Sequence, residues 1–385
     1  DHPEASRAAE FVFTHDEATL AAQVELTEIP APPFGEARRA ARMAEILAET
    51  GCEDVHLDAV GNVVAARSGA GNGEPLVVSA HLDTVFPADT DVRVRRDGDR
   101  FHAPGISDDG RGLAALVTIA RAFQATGLHT VRPLMFVATV GEEGLGELRG
   151  VKHLFAENGA GRGSAGFISL DGAGLDRIVV KALGSRRYRV TATGPGGHSW
   201  VDWGTANPIH ALTRFGGDLT GLELTDRPRS TLTLARIGGG KSINAIPQNA
   251  WLEIDTRSAS SADLTRLEAS IRALVDAHAQ AEPDLTFTTD VIGDRPGGGT
   301  DVEAPLVRAA VAATRQAGGN PTLATSSTDA NIPMSLGIPA VTLGCGGDAG
   351  QAHTSVEWYH NRRGPEGIVR GLHTILLAAG LAESA

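Results

Sequence analysis

The chain has 385 residues, enough for two or three domains at roughly 150 residues per domain. Its 47 acidic side chains outnumber its 34 basic ones and leave a formal charge of −13; this charge repels polyanions, so we expect no nucleic-acid partner. Hydrophobic residues make up 42% and charged residues 21% of the chain, which excludes a disordered chain, and no stretch reaches the roughly 18 apolar residues of a membrane helix, so we expect no membrane partner.

The chain contains two cysteines, Cys52 and Cys345. Two are too few for a disulfide framework, and their spacing is not that of a metal-binding cysteine pair. The segment from Asp1 to Asp16 mixes charges with a short apolar patch and lacks the continuous apolar run of a signal peptide. We therefore expect a cytoplasmic protein.

Helical and strand patterns alternate in the first half of the chain. Apolar residues recur at helical spacing after Glu36, and Gly51 supplies a stop, which predicts a first helix. Because strands that alternate with helices form sheets covered on both faces, this half predicts an α/β fold. The predicted elements are a helix from Glu36 to Thr50, strands from Val55 to Ala66 and from Leu76 to Ala80, a helix from Gly112 to Thr126, and buried strands from Leu134 to Val140 and from Gly166 to Leu170.

The pattern changes at Arg187 to the order β-α-β-β-α-β, which is typical of a ferredoxin-like split unit. Strand and helix alternation resumes after the glycines Gly297 to Gly299. The sequence therefore predicts an α/β domain, residues 1–184 and 297–385, interrupted by a smaller domain, residues 185–296. The insertion comprises strand Arg187 to Thr193, helix Thr205 to Leu219, strands Thr231 to Ile237 and Ala250 to Thr256, helix Ser261 to Gln280 and strand Leu285 to Ile292; the later segments are Pro305 to Ala317, Ala340 to Gly344 and Pro365 to Ala382.

A histidine and an aspartate follow the apolar strand that ends at Ala80. His81 and Asp83 share one face of the extended chain at the strand's carboxyl end, where open α/β sheets bind ligands. A histidine in this position can bind a metal through one ring nitrogen while the other donates a hydrogen bond to a carboxylate. Polar residues that merely cap the end of a strand show the same pattern. The pair alone therefore favours a capped strand end over a metal site.

Two adjacent aspartates, Asp108 and Asp109, follow Gly105 and open onto an apolar helix. An aspartate at a helix start is typical of an N-cap. Two adjacent like charges exceed what a cap requires, and they are costly unless a cation neutralises one of them. Both interpretations, the N-cap and an oxygen-rich metal site, stay open at this point.

More carboxylate and imidazole groups follow other predicted strands. Glu142 and Glu143 come after the most apolar strand, Asp171 closes the next one, and His353 follows the strand that ends at Gly344. Each alone fits a solvated turn or loop. Together, at successive strand ends, they indicate one site.

The candidate ligands comprise two imidazoles and three carboxylates. A single zinc ion takes about four ligands, whereas two ions about 3.5 to 4 Å apart that share a carboxylate and a water would use all five. Glu142 would then lie beside the site, where it could accept a proton from that water. The five candidates are His81, Asp108, Glu143, Asp171 and His353.

The ordered motifs HxD, GxxDD, EE, D and H resemble those of the zinc-dependent M20 peptidase and aminoacylase family, which includes carboxypeptidase G, tripeptidase T and amino-acid deacylases. The similarity spans nearly the whole chain. It implies a phosphorylase/hydrolase-like, mixed-sheet α/β catalytic domain with an inserted ferredoxin-like α+β domain that serves as lid and dimerisation domain. A homodimer through this lid is therefore expected.

The resemblance also implies roles for the site residues. Asp83 matches the residue that orients the first histidine, and Glu142 matches the general base. The peptide bond between Asp108 and Asp109 is often cis in relatives. The expected cofactor is a pair of divalent ions, Zn²⁺ with Co²⁺ or Mn²⁺ as alternatives, one bound by His81 and Asp171 and the other by Glu143 and His353, with Asp108 bridging.

Three residues of the insertion match further family motifs. His198, in Gly196-Gly197-His198-Ser199, matches a histidine that reaches the partner subunit's active site and stabilises the oxyanion. Asn244, in Ser242-Ile243-Asn244-Ala245-Ile246-Pro247, matches a residue that binds substrate or oxyanion. Arg257 matches an arginine that grips a substrate carboxylate.

The sequence departs from the family pattern at the acidic loop, where many relatives have lysine in place of Gly110-Arg111, and at Gly141, where an acidic residue is usual. Aspartate rather than glutamate at position 171 favours a peptidase. The expected function is thus hydrolysis of amide bonds in short peptides, with N-acyl amino acids as the alternative substrates.

Two other functions compete with metal-assisted hydrolysis. The first is a cysteine or serine amidase, considered because Cys345 lies eight positions before His353, but a thiol after a buried strand is typically inert. A non-catalytic module that binds metal or peptide is the candidate from another class. The presence of Glu142 argues against it.

Overall fold

The structure is a computed structural model and describes residues 2–382; Asp1 and residues 383–385, which belong to the predicted first domain, lie outside this range. The helices are α1 (Pro3–Thr14), α2 (Asp16–Thr27), α3 (Ala37–Ala48), α4 (Gly110–Thr126), α5 (Arg149–Leu154), α6 (Pro208–Thr220), α7 (Ser261–Ala281), α8 (Pro305–Gln316), α9 (Asn331–Ser335) and α10 (Gly364–Ala379). The strands are β1 (Glu53–Leu57), β2 (Val63–Arg67), β3 (Leu76–His81), β4 (Arg95–Asp97), β5 (Arg100–His102), β6 (Leu134–Thr139), β7 (Gly166–Leu170), β8 (Arg177–Ala182), β9 (Gly184–Thr193), β10 (Gly197–His198), β11 (Ser230–Gly239), β12 (Ala245–Ile246), β13 (Asn249–Ser258), β14 (Thr286–Arg295), β15 (Gly298–Gly299), β16 (Thr322–Ser326), β17 (Ala340–Leu343), β18 (Asp348–Gly350) and β19 (Trp358–His360).

The chain divides into two compact units. The first unit contains the residues up to Ala182 and those from Gly299 onward, and the second unit is Leu183–Gly298. Each unit has its own buried apolar core.

A mixed sheet forms the centre of the first unit. Its strands run in the order β1-β2-β6-β3-β7-β17-β8, and β16 pairs with β8. The neighbouring strands β6, β3, β7 and β17 are parallel, whereas β1, β2 and β8 pair antiparallel with their neighbours on this path. The predicted mixed α/β fold class is confirmed.

Helices cover both faces of this sheet. Val78 and Ile168 belong to a large core with residues of α1, α3, α4, α8 and α10. Their chain neighbours Val77 and Phe167 point the other way, into a smaller core with residues of α5 and α9. Because successive side chains of a strand alternate between faces, the central strands are buried on both faces and are mostly apolar.

Two sequence-based assignments near the N-terminus were wrong. The run from Val55 to Ala66 is not one strand: β1 and β2 form an antiparallel pair. Between them the Asp58 carboxylate accepts hydrogen bonds from the main-chain N–H groups of Val60, Gly61 and Asn62 at 2.9–3.0 Å, and such an Asx turn reverses the chain. The predicted first helix is preceded by α1 and α2, and α1 buries only Ala8 and Val12.

The second unit is a four-stranded antiparallel sheet in the order β11-β13-β9-β14, with α6 and α7 packed on it. Taken in chain order, these elements have the predicted ferredoxin-like arrangement. Leu212 and Phe215 of α6 and Ile271 of α7 pack on Tyr188 and Ile254 of the sheet.

Among residues 2–382, no helix combines the length and apolar character needed to cross a lipid bilayer.

Candidate metal centre

The site of the first unit lies where parallel strands of its sheet end. β3 ends at His81, β6 is followed by Glu142 and Glu143, and β7 is followed by Asp171. Because β3 pairs in parallel with both β6 and β7, these side chains emerge at one edge of the sheet. The strand order therefore explains how residues far apart in sequence meet.

The His81 ring is buried and held at both nitrogens. Its Nδ1 lies 3.0 Å from the main-chain oxygen of Asp83, and its Nε2 lies 3.0 Å from Asp108 Oδ1. A carbonyl oxygen only accepts hydrogen bonds, so Nδ1 carries a proton and Nε2 is the atom presented to a metal. The expected contact between Asp83 and His81 is thus made by the main chain, while the nearest carboxylate oxygen of Asp83 is 3.7 Å away.

The Asp83 carboxylate, which is fully buried, instead holds the turn after β6. Its Oδ1 accepts a hydrogen bond from Glu142 N at 2.9 Å, and its Oδ2 accepts one from Glu143 N at 2.8 Å. One aspartate therefore connects the histidine at the end of β3 with the two glutamates after β6.

Asp108 lies between the two predicted histidines. Its Oδ1 contacts His81 Nε2 and its Oδ2 contacts His353 Nε2, each at 3.0 Å. His353 Nε2 is also 2.7 Å from Glu143 Oε1. The peptide bond between Asp108 and Asp109 is cis, as the resemblance implied.

Two groups of donor atoms within the described residues could each hold a metal ion. In each group the ligand atoms lie within 4.8 Å of one another. Imidazole nitrogens and carboxylate oxygens are the ligands that Zn²⁺, Co²⁺ and Mn²⁺ accept, so the donor set fits such ions. The groups are His81, Asp108 and Glu143, and His81, Asp109 and Asp171.

Asp109 was not among the predicted ligands. Its buried carboxylate accepts hydrogen bonds from the main-chain N–H groups of His81 at 3.0 Å, Gly112 at 2.9 Å and Gly172 at 3.1 Å. It thus caps α4 and joins the ends of β3 and β7. Both interpretations of the acidic pair therefore have a structural counterpart, since Asp109 is an N-cap and Asp108 faces the histidines.

The charges of this site shift the pKa values of its members. Hydrogen bonds to Asp108 and Glu143 raise the pKa of His353 to about 10. Burial opposes protonation of His81, but Asp109, Asp108 and Asp83 together hold its pKa well above the usual value. Burial and the nearby Asp108 charge raise the pKa of Asp171 to about 7. The site has an excess of negative charge that favours bound protons, and a divalent cation would compensate the same charge.

Glu357 is a further buried acid that the sequence analysis missed. Its carboxylate accepts hydrogen bonds from the main-chain N–H groups of Gly105, Ser107 and Asp108 and from the Ser107 hydroxyl. It follows His353 by four positions, and no sequence pattern linked it to a loop about 250 residues earlier.

Cys345 and Arg111 are the other two residues of the first unit that the sequence singled out. Cys345 is buried, and burial raises the pKa of its thiol, which disfavours the reactive thiolate. Arg111 is fully buried; its Nε donates to the Cys345 main-chain oxygen at 2.9 Å, and its guanidinium lies 5.1 Å from the centre of the Tyr359 ring.

The predicted residues of the second unit were His198, Asn244 and Arg257. His198 pairs with Ala245 in the short ladder of β10 and β12, and Ser199 N donates to the Asn244 main-chain oxygen at 3.1 Å. His198 and Asn244 therefore lie close together. Arg257 lies on β13, and its Nε donates to Asp255 Oδ2 at 2.8 Å.

The exposed His198 ring has a defined tautomer. Its Nδ1 accepts hydrogen bonds from the main-chain N–H groups of Trp200 at 3.2 Å and Val201 at 3.3 Å. Nδ1 is therefore unprotonated, and the ring proton lies on Nε2, which is a donor.

A model of a known protein family and a curated relative both match most of this chain. Residues 77–379 match the model of peptidase family M20/M25/M40. A putative succinyl-diaminopimelate desuccinylase, DapE, of Mycobacterium tuberculosis strain H37Rv is 28% identical over 352 residues, which are 86% of this chain and 91% of the relative.

Solved structures of the same fold include aminopeptidase PepT from Bacillus cereus, with a TM-score of 0.76 and 21% identity over 94% of this chain and 98% of its own. A dinuclear metal-binding M20 peptidase from Bacillus subtilis has a TM-score of 0.68 and 16% identity over 94% of this chain and 98% of its own. At these identities the structural likeness establishes the fold.

Proposed function

The chain belongs to peptidase family M20/M25/M40 and is a hydrolase of that family, and from this premise we propose that it hydrolyses amide bonds with two divalent metal ions. The observation that carries the proposal is the position of Asp108, whose two carboxylate oxygens each lie 3.0 Å from a different histidine. A carboxylate placed in this way could offer one oxygen to each of two ions.

The ligands follow from the donors around Asp108. We assign His81 and Asp171 to one ion, Glu143 and His353 to the other, and Asp108 to both. Zn²⁺ is the proposed metal, with Co²⁺ and Mn²⁺ as alternatives. Such ions, when bound by these residues, would polarise a substrate carbonyl and would lower the pKa of a bound water toward about 7.

Glu142 is the proposed general base. It is buried beside Glu143, and its main chain is fixed by the Asp83 carboxylate. Glu142 removes a proton from the attacking water, whose oxygen forms a bond to the carbonyl carbon. It then delivers that proton to the amide nitrogen as the C–N bond breaks, so that a carboxylic acid and an amine result.

The second unit is the proposed lid and dimerisation domain. His198 of the partner subunit would donate its Nε2 proton to the developing oxyanion, and the tautomer of His198 supports this role. Asn244, next to His198, would contact the substrate or the oxyanion. Arg257 would bind a substrate carboxylate.

Short peptides are the proposed substrates because Asp171 occupies the position where aspartate favours peptidases. N-acyl amino acids are a second candidate, favoured by the 28% identity to a putative desuccinylase. Both substrates present an amide next to a carboxylate, so the same site could serve either. A cytoplasmic location is retained as a prediction.

The proposal is tested with a panel of di- and tripeptides, N-acetyl amino acids and N-succinyl amino acids, each assayed by release of free amine. Protein loaded with Zn²⁺, Co²⁺ or Mn²⁺ is compared with metal-free protein, and the metal content of every sample is measured. We expect peptide hydrolysis that needs metal. Hydrolysis of the acylated amino acids alone would move the assignment to a deacylase. Two bound ions without hydrolysis of any compound would refute the proposed activity on peptides and N-acyl amino acids.

A further inference from the structure

Glu357 is connected to the acidic loop by four hydrogen bonds. Its Oε2 accepts one from Gly105 N at 2.9 Å. Its Oε1 accepts three, from Ser107 N at 2.9 Å, Ser107 Oγ at 2.6 Å and Asp108 N at 3.1 Å. The side chain is fully buried. Both carboxylate oxygens are therefore used on one short loop.

The main chain of Glu357 continues this connection. Ala103 N donates to the Glu357 oxygen at 3.2 Å, and Glu357 N donates to the oxygen of Thr354, the residue after His353. The segment that carries His353 is thus bonded through Glu357 to Ala103, just before the acidic loop, as well as to the loop itself. A shift of either segment would leave a buried carboxylate short of donors, and buried charges without partners are costly.

We propose that Glu357 is a positioning residue of the metal centre: its carboxylate fixes the main chain at Asp108 relative to His353. This inference rests on the proposed function, because the spacing matters when Asp108 bridges two ions. Asp108 can direct one oxygen to each histidine only if its main chain keeps this place. Glu357 acts through Asp108.

A glutamine at position 357 is the sharpest test, because it keeps the size of the side chain and exchanges one acceptor oxygen for an NH₂ group. That group would face a main-chain N–H of the loop, either at Gly105 or at Ser107 and Asp108. The Ser107→Ala variant removes one of the four donors and keeps the carboxylate. Glu157→Gln changes an exposed glutamate on the surface and serves as the matched control.

The readouts separate positioning from general stability. Metal-free proteins are compared by thermal melting, Zn²⁺ affinity and stoichiometry are measured by calorimetry, Co²⁺ loading gives an absorption spectrum, and kcat and KM are measured at saturating metal. For Glu357→Gln we expect metal affinity to fall roughly 10- to 100-fold, as for other residues that support metal ligands. We also expect an altered Co²⁺ spectrum, and a kcat that falls while KM stays near its original value. The metal affinity and kcat of Ser107→Ala should lie between those of Glu357→Gln and those of the control.

The outcomes distinguish this proposal from the proposed function. A wild-type protein that fails to bind two ions refutes the two-metal site itself. If the wild type binds two ions and Glu357→Gln binds them with the same affinity and spectrum, the positioning role is overturned while the hydrolase stands. If Glu357→Gln does not fold, Ser107→Ala decides, and an unchanged affinity and spectrum in that variant overturn the proposal.

Discussion

The carboxylate of Asp83 accepts a hydrogen bond from the main-chain N–H of Glu142, with 2.9 Å between Asp83 Oδ1 and Glu142 N. Its other oxygen accepts the N–H of Glu143, and its main-chain oxygen contacts the His81 ring. Asp83 therefore contacts the proposed general base, Glu142, and two proposed ligands, His81 at the end of β3 and Glu143 after β6. This is a wider role than the orientation of one histidine.

Asp83→Asn tests this connection. Asparagine has one acceptor oxygen, and its NH₂ group would face the N–H of Glu142 or Glu143. Since the main-chain contact to His81 remains, we expect the substitution to act mainly on the glutamates and to lower kcat by about 10- to 100-fold. Steady-state kinetics at saturating metal measure this, with the exposed Asp89→Asn as the control. A kcat equal to that of the control would show that the hydrogen bonds of the Asp83 carboxylate to Glu142 and Glu143 are not needed for activity.

Glu142→Gln tests the proton transfer. Glutamine preserves the shape of the side chain but cannot take a proton from water. We expect kcat to fall by about 10²- to 10⁴-fold, while the metal content of the variant stays at the wild-type value, because Glu142 is not a proposed ligand. Single-variant kinetics and elemental analysis of the same sample check both points. Near-normal turnover would exclude Glu142 as the base.

The pKa of His353 predicts how metal binding depends on pH. A metal binds the neutral imidazole, and hydrogen bonds to Asp108 and Glu143 raise the pKa of His353 to about 10 in the metal-free protein. Protons therefore compete with the metal, so the apparent affinity for Zn²⁺ should rise from pH 6 to pH 9 and binding should release protons. Calorimetry in buffers of different ionisation enthalpy measures the release. An affinity that does not change over this range would contradict the prediction.

The same shift predicts the pH dependence of the metal-free fold. Because the pKa of His353 is higher in the folded state than its ordinary value of about 6.5, its protonation stabilises the fold fully below pH 6.5. That stabilisation is lost as the pH rises through about 10. The melting temperature of metal-free protein should thus decline more steeply between pH 7 and pH 10 than that of a His353→Asn variant. If the melting temperatures of both proteins fell equally steeply with pH, the result would argue against a raised pKa of His353.

Thiol modification separates the metal mechanism from the competing cysteine mechanism. Cys345 is buried and its thiol pKa is raised, so we expect iodoacetamide at neutral pH to leave hydrolysis unchanged. Removal of metal by a chelator should abolish hydrolysis, and added Zn²⁺ should restore it. Loss of activity on alkylation, with chelator-treated protein still active, would favour the thiol.

Several residues of the candidate site could be predicted from sequence because they follow strands. Strands β3 and β7 are buried along their length and mostly apolar, so His81 at the end of one and Asp171 after the other stand out. Parallel pairing then places these ends at one edge. Among the five predicted ligands, Asp108 instead lies in the loop before α4. The pairing of the ligands into two sets needed the family resemblance.

Other features depend on tertiary contacts that leave no local pattern. Glu357 meets the acidic loop across about 250 positions of the chain, and Asp83 directs its carboxylate to a turn that follows another strand. Helix α1 was missed because only two of its residues are buried, which gives a weak apolar stripe. The hairpin of β1 and β2 was missed because its turn is made by one aspartate within a run that otherwise resembles a strand.

The number of metal ions bound per chain tests the central claim most directly. Elemental analysis of dialysed wild-type protein and of an Asp108→Ala variant, both checked for folding by circular dichroism, gives this number. We predict two ions per wild-type chain and the loss of at least one from the variant, because Asp108 contacts both histidines. A wild-type chain that binds one ion or none, or a variant that keeps both, would contradict a shared two-metal centre.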